Sequence, residues 1–263
     1  MRLKDPFSKK SLGQNFLVDH EVINKILLEF QPTKADVVLE IGPGRGALTE
    51  QLIERSGKVY ALEFDRDLAP VLREKFGMHE NFSLLEGDAL KVDFRKIAGA
   101  GEKLRLIANL PYNISTAILQ RLFSCAEIFT DCVLMFQREV VERIMARPGT
   151  SERGYLTVLI EAHFSAERLF DVPPTAFRPA PRVWSSVVRL IPTNRPVPNE
   201  ELFRQVLSTA FAQKRKTILN NLKHRYPNSE PALMRSGVAT KRRAETLHLD
   251  EWLRLTENIG SGS

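Results

Sequence analysis

The chain of 263 residues carries 38 Lys and Arg against 32 Asp and Glu, and 43% of its residues are hydrophobic. That composition is typical of a folded globular protein and excludes a disordered or collagen-like chain. The sequence has no long uncharged apolar run and its basic start does not resemble a signal peptide, so we expect a cytoplasmic protein. Two cysteines and five scattered histidines lack zinc-ligand spacing, which predicts reduced thiols and no metal site.

Nearly all the positive excess lies in the last quarter of the chain. Residues 192–263 hold 12 Lys and Arg against 7 Asp and Glu, whereas residues 1–191 hold 26 against 25. A charge run is usually a solvated face, but this asymmetry favours a surface that meets a polyanion. Nucleic acid is favoured over a membrane because no apolar stripe with tryptophan anchors accompanies the charge.

Short apolar runs alternate with segments of helical period from about residue 37 to residue 146. The predicted strands are Val37–Leu39, Val59–Leu62, Phe82–Leu85, Leu104–Ile107 and Val133–Phe136. The predicted helices are Ala47–Arg55, Asp67–Phe76, Ser115–Phe123 and Arg138–Ala146. This alternation indicates an α/β fold, a Rossmann-like and mostly parallel sheet with helices on both faces. Ligands of such sheets bind beyond the carboxyl ends of the strands.

The later part of the chain changes character. Two apolar stretches, Tyr155–Ile160 and Ser186–Ile191, are predicted to add strands to the sheet. Three prolines follow closely and prevent a helix, so we predict an extended linker and a boundary between one domain at 1–191 and another at 192–263. The second is predicted to be a small α-helical domain, with helices over Glu200–Phe211, Arg215–His224 and Leu249–Thr256.

A glycine-rich turn follows the first predicted strand of the sheet. It reads Glu40-Ile-Gly42-Pro-Gly44-Arg-Gly46, with glycine at every second position before a helix. Glycine lets the backbone adopt positive φ and approach a ligand closely, as a nucleotide-binding turn requires. The turn lacks both the spacing of a dinucleotide fingerprint and the Lys-Ser/Thr pair of a phosphate loop, so a dinucleotide or ATP is the weaker interpretation.

Three acidic residues follow three consecutive predicted strands. Glu40 opens the turn, Glu63 ends the second strand, and Asp88 follows the third strand, next to Ala89. Glu40 suits an ammonium group, Glu63 can accept two ribose hydroxyls, and Asp88 can accept from an adenine amino group. Each carboxylate alone would be interpreted as a helix cap or a solvated loop residue. The ordered trio predicts an amino acid joined to a nucleoside without phosphate, which is S-adenosylmethionine.

The fourth predicted strand ends at the segment Asn109-Leu110-Pro111-Tyr112-Asn113. The ordinary interpretation is a strand terminator followed by a helix cap. Alternatively, the Asn109 side-chain oxygen and the Leu110 carbonyl accept the two N–H groups of an exocyclic base amine, which directs its lone pair at a sulfonium methyl. Pro111 would stiffen the turn, and Tyr112 would stack on the base. A base inside a duplex could not reach this site, so its target is single-stranded or flipped out.

Five segments in register carry a family resemblance. They are Ser11-Leu-Gly-Gln-Asn-Phe-Leu17, Glu40 to Gly46, Asn109 to Asn113, Phe177-Arg-Pro-Ala-Pro-Arg-Val183 and Phe211-Ala-Gln-Lys-Arg-Lys-Thr217. Together they are similar to the ribosomal RNA adenine dimethyltransferases, and the resemblance spans Ser11 to about Asn221. It implies a class I methyltransferase sheet. Of the two main branches, the small-subunit (16S-type) branch resembles this chain more than the related erythromycin-resistance branch, which modifies the large subunit.

The resemblance implies an enzyme that transfers methyl groups from S-adenosylmethionine to N6 of two adjacent adenosines near the 3′ end of small-subunit (16S) ribosomal RNA, dimethylating each. Its partners would be the small-subunit precursor and its rRNA, and the activity would be coupled to small-subunit biogenesis. We expect a monomer, since nothing marks a large exposed apolar patch. Two alternatives stay open: a large-subunit methyltransferase conferring macrolide resistance, and a non-catalytic RNA-binding assembly or transcription factor. The intact Asn109–Tyr112 segment with Glu63 favours the enzyme.

The resemblance also implies how the cofactor is held. Gln14, Asn15 and Leu17 would close over it from the N-terminal segment. The glycine turn, through Gly42 and Gly44, would approach its amino-acid part. From the residues alone, Gln14 and Asn15 are interpreted as a helix-capping pair.

On the target side, the resemblance implies that Asn109 contacts both the cofactor and the target amine. Tyr112 and Phe177 would sandwich the flipped adenine, where stacking is worth about 1–3 kcal/mol per base. A lone Phe such as Phe177 is more often a packing residue. Where the family usually has a small polar or acidic residue this chain has Trp184, which leaves the packing or RNA contact of that loop open.

The predicted RNA-binding residues are Lys214, Arg215, Lys216, Lys223 and Arg225. At helical spacing, Lys216 and Lys223 fall on nearly one face, opposite apolar residues that can face a core. We expect these cations to contact phosphates, which orients the enzyme on folded RNA and makes binding salt-dependent without selecting a sequence.

Overall fold

A computed structural model describes residues 13–99, 101–111 and 114–261. The predicted stacking residue Tyr112 therefore lies outside the described residues. In the described part of the chain the strands are β1 (Phe16–Leu17), β2 (Val37–Ile41), β3 (Lys58–Glu63), β4 (Phe82–Glu86), β5 (Leu104–Asn109), β6 (Phe129–Gln137), β7 (Phe164–Val172), β8 (Phe177–Arg178) and β9 (Ser185–Pro192).

Seven strands form one mixed sheet in the order β4-β3-β2-β5-β6-β9-β7. Strands β2 to β6 pair in parallel, and β9 pairs antiparallel with β6. The short strands β1 and β8 form a separate antiparallel pair. The predicted α/β fold is confirmed, with its mostly parallel sheet and helices on both faces. All five strands predicted before residue 137 are present, and so is the strand predicted at Ser186–Ile191.

The helices in the described residues are α1 (His20–Phe30), α2 (Thr49–Arg55), α3 (Leu68–Phe76), α4 (Phe94–Ala98), α5 (Ser115–Phe123), α6 (Arg138–Ile144), α7 (Tyr155–His163), α8 (Glu200–Ala210), α9 (Ile218–Leu222), α10 (Ser229–Arg235) and α11 (Leu249–Gly260). Helix α1 begins after Asp19, whose carboxylate accepts from the backbone N–H groups of Glu21 and Val22. The longest helix in the part of the chain that the structure describes, α11, has 12 residues. No helix of the described residues combines the length and the apolar content needed to cross a membrane.

The edge of the sheet at the amino end of β5 is fixed by Arg105. Its guanidinium pairs with Asp131 on β6 at 2.7 Å and with Asp36, just before β2, at 3.0 Å. It also donates to the Gln31 carbonyl, which follows α1, at 3.0 Å. This network joins the amino ends of two neighbouring strands to the end of α1. It gives a rigid support to the sheet, whose carboxyl ends lie on the opposite side.

One predicted strand is wrong. Residues Tyr155–Ile160 form the first two turns of α7, in which Leu156, Val158, Leu159 and Ile160 are all buried. A short continuous apolar run is compatible with a buried strand and with a buried helix, so periodicity could not separate the two. The strand that does complete the sheet is β7, at its edge.

The chain divides into two compact units. The first comprises Met1–Val141 and Ala166–Pro192, and the second comprises Glu142–Ser165 and Thr193–Ser263. The predicted boundary after residue 191 lies one residue from the end of the first unit. The prediction differs in assigning 142–165 to the first domain. This segment holds three basic and three acidic residues, so the second unit keeps the positive excess of the tail.

Segment 142–165 belongs to the second unit because its helix and its arginine have their partners there. Arg153 is fully buried, and its guanidinium binds both carboxylate oxygens of Glu161 at 2.6 and 2.7 Å. The same guanidinium donates to the carbonyls of Ala146 and Leu247, each at 3.1 Å. These four hydrogen bonds from Nη1 and Nη2 offset the burial of the charged group, so the segment and the tail fold as one unit.

The second unit is helical, as predicted. Trp252 on α11 is fully buried, and its ring lies 5.5 Å from that of Phe211. Helices α8 and α11 match the predicted ones within a few residues. The helix predicted over Arg215–His224 is wrong at both ends, because Thr217 caps α9 by accepting from the Asn220 N–H and the helix ends at Leu222.

Candidate active site

A cavity of about 810 Å³ opens at the carboxyl ends of β2, β3 and β5 in the first unit. That is the edge at which parallel α/β sheets bind ligands, and the volume is in the range of small-molecule sites. The predicted cofactor and target residues that line it are Gln14, Asn15, Leu17, Glu40, Gly42, Gly44, Glu63, Asp88, Ala89, Asn109, Leu110 and Pro111. Residues far apart in sequence are thus brought to one place.

The turn after β2 requires glycine for two separate reasons. Gly42 and Gly46 adopt φ of +70° and +85°, a region that L side chains rarely enter. At Gly46 a Cβ would also overlap the Phe76 ring at the end of α3, so that ring would have to shift. At Gly42 the nearest atom to a Cβ would be the Asn109 carbonyl oxygen at 3.9 Å, so this position faces open cavity. The turn therefore presents bare backbone to a ligand.

Glu40 is a buried carboxyl group on the last part of β2. It is 2% exposed, and its Oε2 accepts a hydrogen bond of 2.6 Å from Thr49 Oγ1 on α2. Burial raises the pKa of Glu40 to about 7, the bond from Thr49 opposes that rise, and the neighbouring Glu63 adds to it. A carboxylate in this position gains from a cationic ligand, because the cation replaces lost hydration. The sequence motifs did not reveal the role of Thr49.

Glu63 ends β3 with both carboxylate oxygens engaged. Oε2 accepts from the Gly44 N–H at 3.2 Å, and Oε1 accepts from the Asp65 N–H at 2.8 Å. Burial raises the pKa of Glu63, and these backbone hydrogen bonds counteract the rise. A carboxylate has about four lone-pair sites, so acceptor capacity toward the cavity is left after both bonds. Glu63 thus fixes the glycine turn while it lines the cavity.

Asp65 is a cavity residue that the sequence interpretation missed. It is 5% exposed and accepts a hydrogen bond of 2.8 Å from Gln14 Nε2. Its other oxygen accepts from the Asp67 N–H at 3.0 Å. The bond to Gln14 attaches the N-terminal segment to the loop after β3. Asp65 lies two residues after Glu63, at the same end of the sheet, and this position is the sequence signal from which it could have been predicted.

The N-terminal segment is also attached to the end of β5. Asn109 Nδ2 donates to the Asn15 carbonyl at 3.3 Å. Because the amide nitrogen is directed at Asn15, the amide oxygen of Asn109 is directed to the other side. Two residues on, β1 pairs with β8, with Leu17 opposite Phe177. The N-terminal segment therefore crosses the cavity and is attached to the rest of the first unit at three places, which are Asp65, Asn109 and β8.

The loop after β4 contributes Asp88 and Ala89. Asp88 Oδ1 accepts from the Leu90 N–H at 2.9 Å, which forms a tight turn. The Asp88 side chain is 28% exposed, and Lys91 lies 4.0 Å from its Oδ2. Asp88 therefore caps a turn and also lines the cavity, and its hydrogen bond to an adenine amino group stays a prediction.

Phe177 does not reach the cavity, contrary to its predicted stacking role. Its ring is 1% exposed and packs in the hydrophobic core of the first unit with Leu17 and Ala176. The ring is buried because the pairing of β8 with β1 directs it inward. The alternative interpretation as a packing residue fits the structure. Leu110 and Pro111 do line the cavity, and the Pro111 carbonyl accepts from Ser115 Oγ at 3.2 Å.

The five predicted RNA-binding residues are all exposed and lie in the second unit. Lys214 to Lys216 occupy a turn before α9, so Lys216 and Lys223 do not share a helix face as predicted. Lys214 Nζ donates to the Ser151 carbonyl at 3.1 Å, and the Arg225 guanidinium donates to Gln205 Oε1 at 2.9 Å. These contacts leave the cluster solvated.

The cavity fits S-adenosylmethionine in its chemistry. Bare glycine backbone lies beside a buried carboxyl group at Glu40, which suits an amino acid whose ammonium group is positive. Carboxylates at Glu63 and Asp88 lie on neighbouring loops and can accept hydrogen bonds from a nucleoside. Among the described residues no group of three or more His, Cys, Asp and Glu could hold a metal ion.

The chain is similar to known ribosomal RNA methyltransferases both in sequence and in structure. The model of the ribosomal RNA adenine dimethylase family matches residues 7–260. A ribosomal RNA small subunit methyltransferase A from Aromatoleum aromaticum is 43% identical over 260 residues, covering 97% of this chain and 96% of the relative. The crystal structure of a dimethyladenosine transferase from Plasmodium falciparum has a TM-score of 0.79 at 28% identity, covering 91% of this chain and 95% of that chain.

The crystal structure of the 23S rRNA methyltransferase ErmE is similar too, with a TM-score of 0.70 at 28% identity, covering 94% of this chain and all of that one. These matches extend over both units, so the resemblance noted in the sequence is confirmed along nearly the whole chain. The chain belongs to the ribosomal RNA adenine dimethylase family and is an S-adenosylmethionine-dependent methyltransferase.

Proposed function

We propose that this enzyme dimethylates N6 of two adjacent adenosines near the 3′ end of small-subunit ribosomal RNA, within a precursor of the small subunit in the cytoplasm. The main observation in support is that Asn109 and Leu110 line the same cavity as the buried carboxyl groups of Glu40 and Glu63. The relatives named small subunit methyltransferase A support the choice of subunit. We further propose that it acts as a monomer.

The proposed cofactor residues divide the ligand among three loops. Glu40 receives the ammonium group, and the backbone at Gly42 and Gly44 lies against the amino-acid part. Glu63 accepts from the ribose, while Asp88 and Ala89 hold the adenine. When bound, S-adenosylmethionine supplies an electrophilic methyl group on a sulfonium. Gln14, Asn15 and Leu17 close the site from the N-terminal side and exclude water.

The target amine is activated by position. An exocyclic amine is a poor nucleophile while its lone pair is delocalised into the ring. The Asn109 amide oxygen and the Leu110 carbonyl accept its two N–H groups, which turns the nitrogen toward tetrahedral geometry and directs its lone pair at the methyl group. Pro111 stiffens the turn, and Tyr112 stacks on the base. The methylated nitrogen is cationic and acidic enough to lose a proton to water, so this arrangement needs no strong general base. At the second transfer the amine has one N–H left, which one of the two acceptors binds.

The two units have different tasks in this proposal. The first binds the cofactor and the target base. The second binds folded RNA through phosphate contacts from the turn Lys214–Lys216 and from Lys223 and Arg225. Exposed cations of this kind supply affinity and orientation and release counterions on binding. An A-form helix recognised by shape suits them.

The test is transfer of labelled methyl groups from S-adenosylmethionine to isolated small and large ribosomal subunits that lack the modification. Nucleoside analysis then identifies the product. Dimethyladenosine in the small subunit alone is the expected result. Label in the large subunit would assign the enzyme to the macrolide-resistance branch. Tight subunit binding with label in neither would leave the assembly-factor alternative.

A further inference from the structure

Among the residues that the structure describes, two exposed aromatic side chains have no part in the proposed mechanism: Phe64 lines the cavity, and Trp184 does not. Trp184 is 48% exposed, whereas the other tryptophan, Trp252, is fully buried. Trp184 ends the loop 179–184, which connects β8 to β9. Leaving half of a large apolar ring in water is unfavourable by the hydrophobic effect, so a ring in this position is suited to a partner.

The surroundings of Trp184 are positively charged. Arg178 and Arg182 are exposed, and no Asp or Glu lies between residues 178 and 184. A third exposed arginine, Arg138, begins α6, and its backbone N–H donates to the Trp184 carbonyl at 2.9 Å. Two acidic groups lie nearby: the exposed Glu139 follows Arg138, and Asp171 accepts from Ser186 Oγ at 2.6 Å, is paired with Arg168 and interacts electrostatically with Arg138. An exposed aromatic ring on a loop that carries exposed arginines is the composition of a single-stranded nucleic acid platform.

The strand register places this loop on the side of the sheet where the cavity opens. Asn109 on β5 lies opposite Met135 on β6, which lies opposite Val187 on β9. Trp184 is therefore two strands across and three residues along from Asn109. At strand spacings of about 4.8 Å and a rise of about 3.3 Å per residue, the two backbone positions are about 14 Å apart. That distance separates a target nucleotide from a near neighbour in the same strand.

We propose that Trp184 stacks on a base of the substrate strand a few nucleotides from the target adenosine, while Arg178 and Arg182 contact the flanking phosphates. This inference rests on the proposed function. Arg178 Nη1 donates to the carbonyls of Thr175 and Phe177 at 3.2 and 2.9 Å, so part of its guanidinium is fixed to the backbone. The stack tolerates any base, because every base has a π-face. It therefore acts on affinity and positioning and leaves the chemistry to Asn109.

The experiment uses the intrinsic fluorescence of the full chain, titrated with a single-stranded oligoadenosine RNA. Base stacking quenches an exposed indole, and the buried Trp252 provides a constant background. We expect quenching in the wild type and none in Trp184→Phe. Trp184→Ala should weaken oligonucleotide binding about ten- to a hundredfold, whereas Trp184→Phe should keep most of the affinity, since a phenyl ring also stacks.

Methyl transfer supplies the second readout. Trp184→Ala should raise KM for the RNA substrate and leave kcat unchanged. The matched control is Ile191→Ala, which truncates a side chain of similar exposure, 45%, near the far end of β9. It should alter neither oligonucleotide binding nor KM.

Two results would overturn the stacking inference. Unchanged oligonucleotide affinity and KM in Trp184→Ala would do so while leaving the proposed function intact. Loss of binding to the ribosomal subunit with unchanged oligonucleotide binding would assign Trp184 to a protein contact instead. A wild type that transfers no methyl group to either subunit would contradict the proposed function whatever the fluorescence shows, so the two failures are distinguishable.

Discussion

The cavity and the basic turn hold their charged groups in opposite ways. Glu40 and Glu63 are 2% and 6% exposed and bound by fixed hydroxyl and backbone donors. Lys214, Arg215 and Lys216 are exposed in a turn. The buried carboxyl groups have lost their hydration before any ligand arrives, and their raised pKa values record that loss. The exposed cations keep theirs, so each contributes little by itself and its contribution is screened by salt.

The largest expected effect is on the glycine turn. Gly46→Ala should lower the free energy of unfolding by about 4 kcal/mol, because it combines a disfavoured φ with overlap between the new Cβ and the buried Phe76 ring. Urea unfolding checks this. Gly42→Ala is the comparison, since it meets no atom within 3.9 Å and should cost only the backbone strain of about 1–2 kcal/mol. Equal losses of unfolding free energy in the two variants would show that packing against Phe76 on α3 does not restrict the residue at position 46.

The next effect concerns turnover. Asn109→Ala should lower kcat about 10²–10³-fold, roughly 3–4 kcal/mol, because it removes an acceptor that strengthens in the transition state. S-adenosylmethionine binding, measured by calorimetry on the same variant, should survive in part. The loss should not depend on salt, in contrast to losses at the basic turn. Unchanged turnover would remove Asn109 from the mechanism.

A third effect is a pH dependence of stability. The folded-state pKa of Glu40, about 7, lies above the ordinary value of 4.5, so the folded protein binds the proton more tightly than the unfolded chain. Stability from this group is therefore present below about pH 4.5 and is lost as pH rises through 7, by about 3 kcal/mol in total.

Glu40→Gln removes that titration and keeps an acceptor for Thr49. Urea unfolding of the ligand-free protein at pH 5 and pH 8 should give a smaller difference for the variant than for the wild type. Glu63 is present in both proteins, and its own contribution changes only through the loss of its repulsion with Glu40. Parallel pH profiles would show that Glu40 is ionised throughout.

The smallest effect is expected at the basic turn. Lys216→Ala should remove one phosphate contact, reducing the slope of log affinity for RNA against log salt by about 0.7–0.9. Cofactor affinity should not change. Lys103→Ala is the control, because this exposed lysine precedes β5 at the edge of the sheet away from the cavity. A change in cofactor affinity in Lys216→Ala would show that the basic turn and the cavity are energetically coupled.

The sequence predicted those parts of the structure that have a local pattern of apolar, glycine or acidic residues. The glycine turn and the strand-end acids were predictable because each follows an apolar run on one edge of the sheet. The identity of α7 was not, since Leu156 to Ile160 are buried nearly all round and show no amphipathic period. Strand β7 escaped notice because it is an edge strand that carries Glu167, Arg168 and Asp171.

Within the site, residues that act through tertiary contacts were the ones missed. Thr49 and Asp65 matter through hydrogen bonds to Glu40 and Gln14, and neither bond is visible in a linear motif. Phe177 was assigned to stacking by resemblance, whereas the pairing of β8 with β1 buries its ring. Its neighbours in sequence could not show which way that ring points.

The interruption of the first unit by residues 142–165 limits how this enzyme can be recombined with its relatives. A chimaera joined at Pro192 would exchange Leu247 and α11 while keeping Arg153, whose guanidinium binds the Leu247 carbonyl. The chimaera would then combine Arg153 from one parent protein with a carbonyl acceptor from the other parent. These two groups did not evolve beside each other. Exchange of the second unit between family members therefore requires both pieces, 142–165 and the tail, to be inherited together.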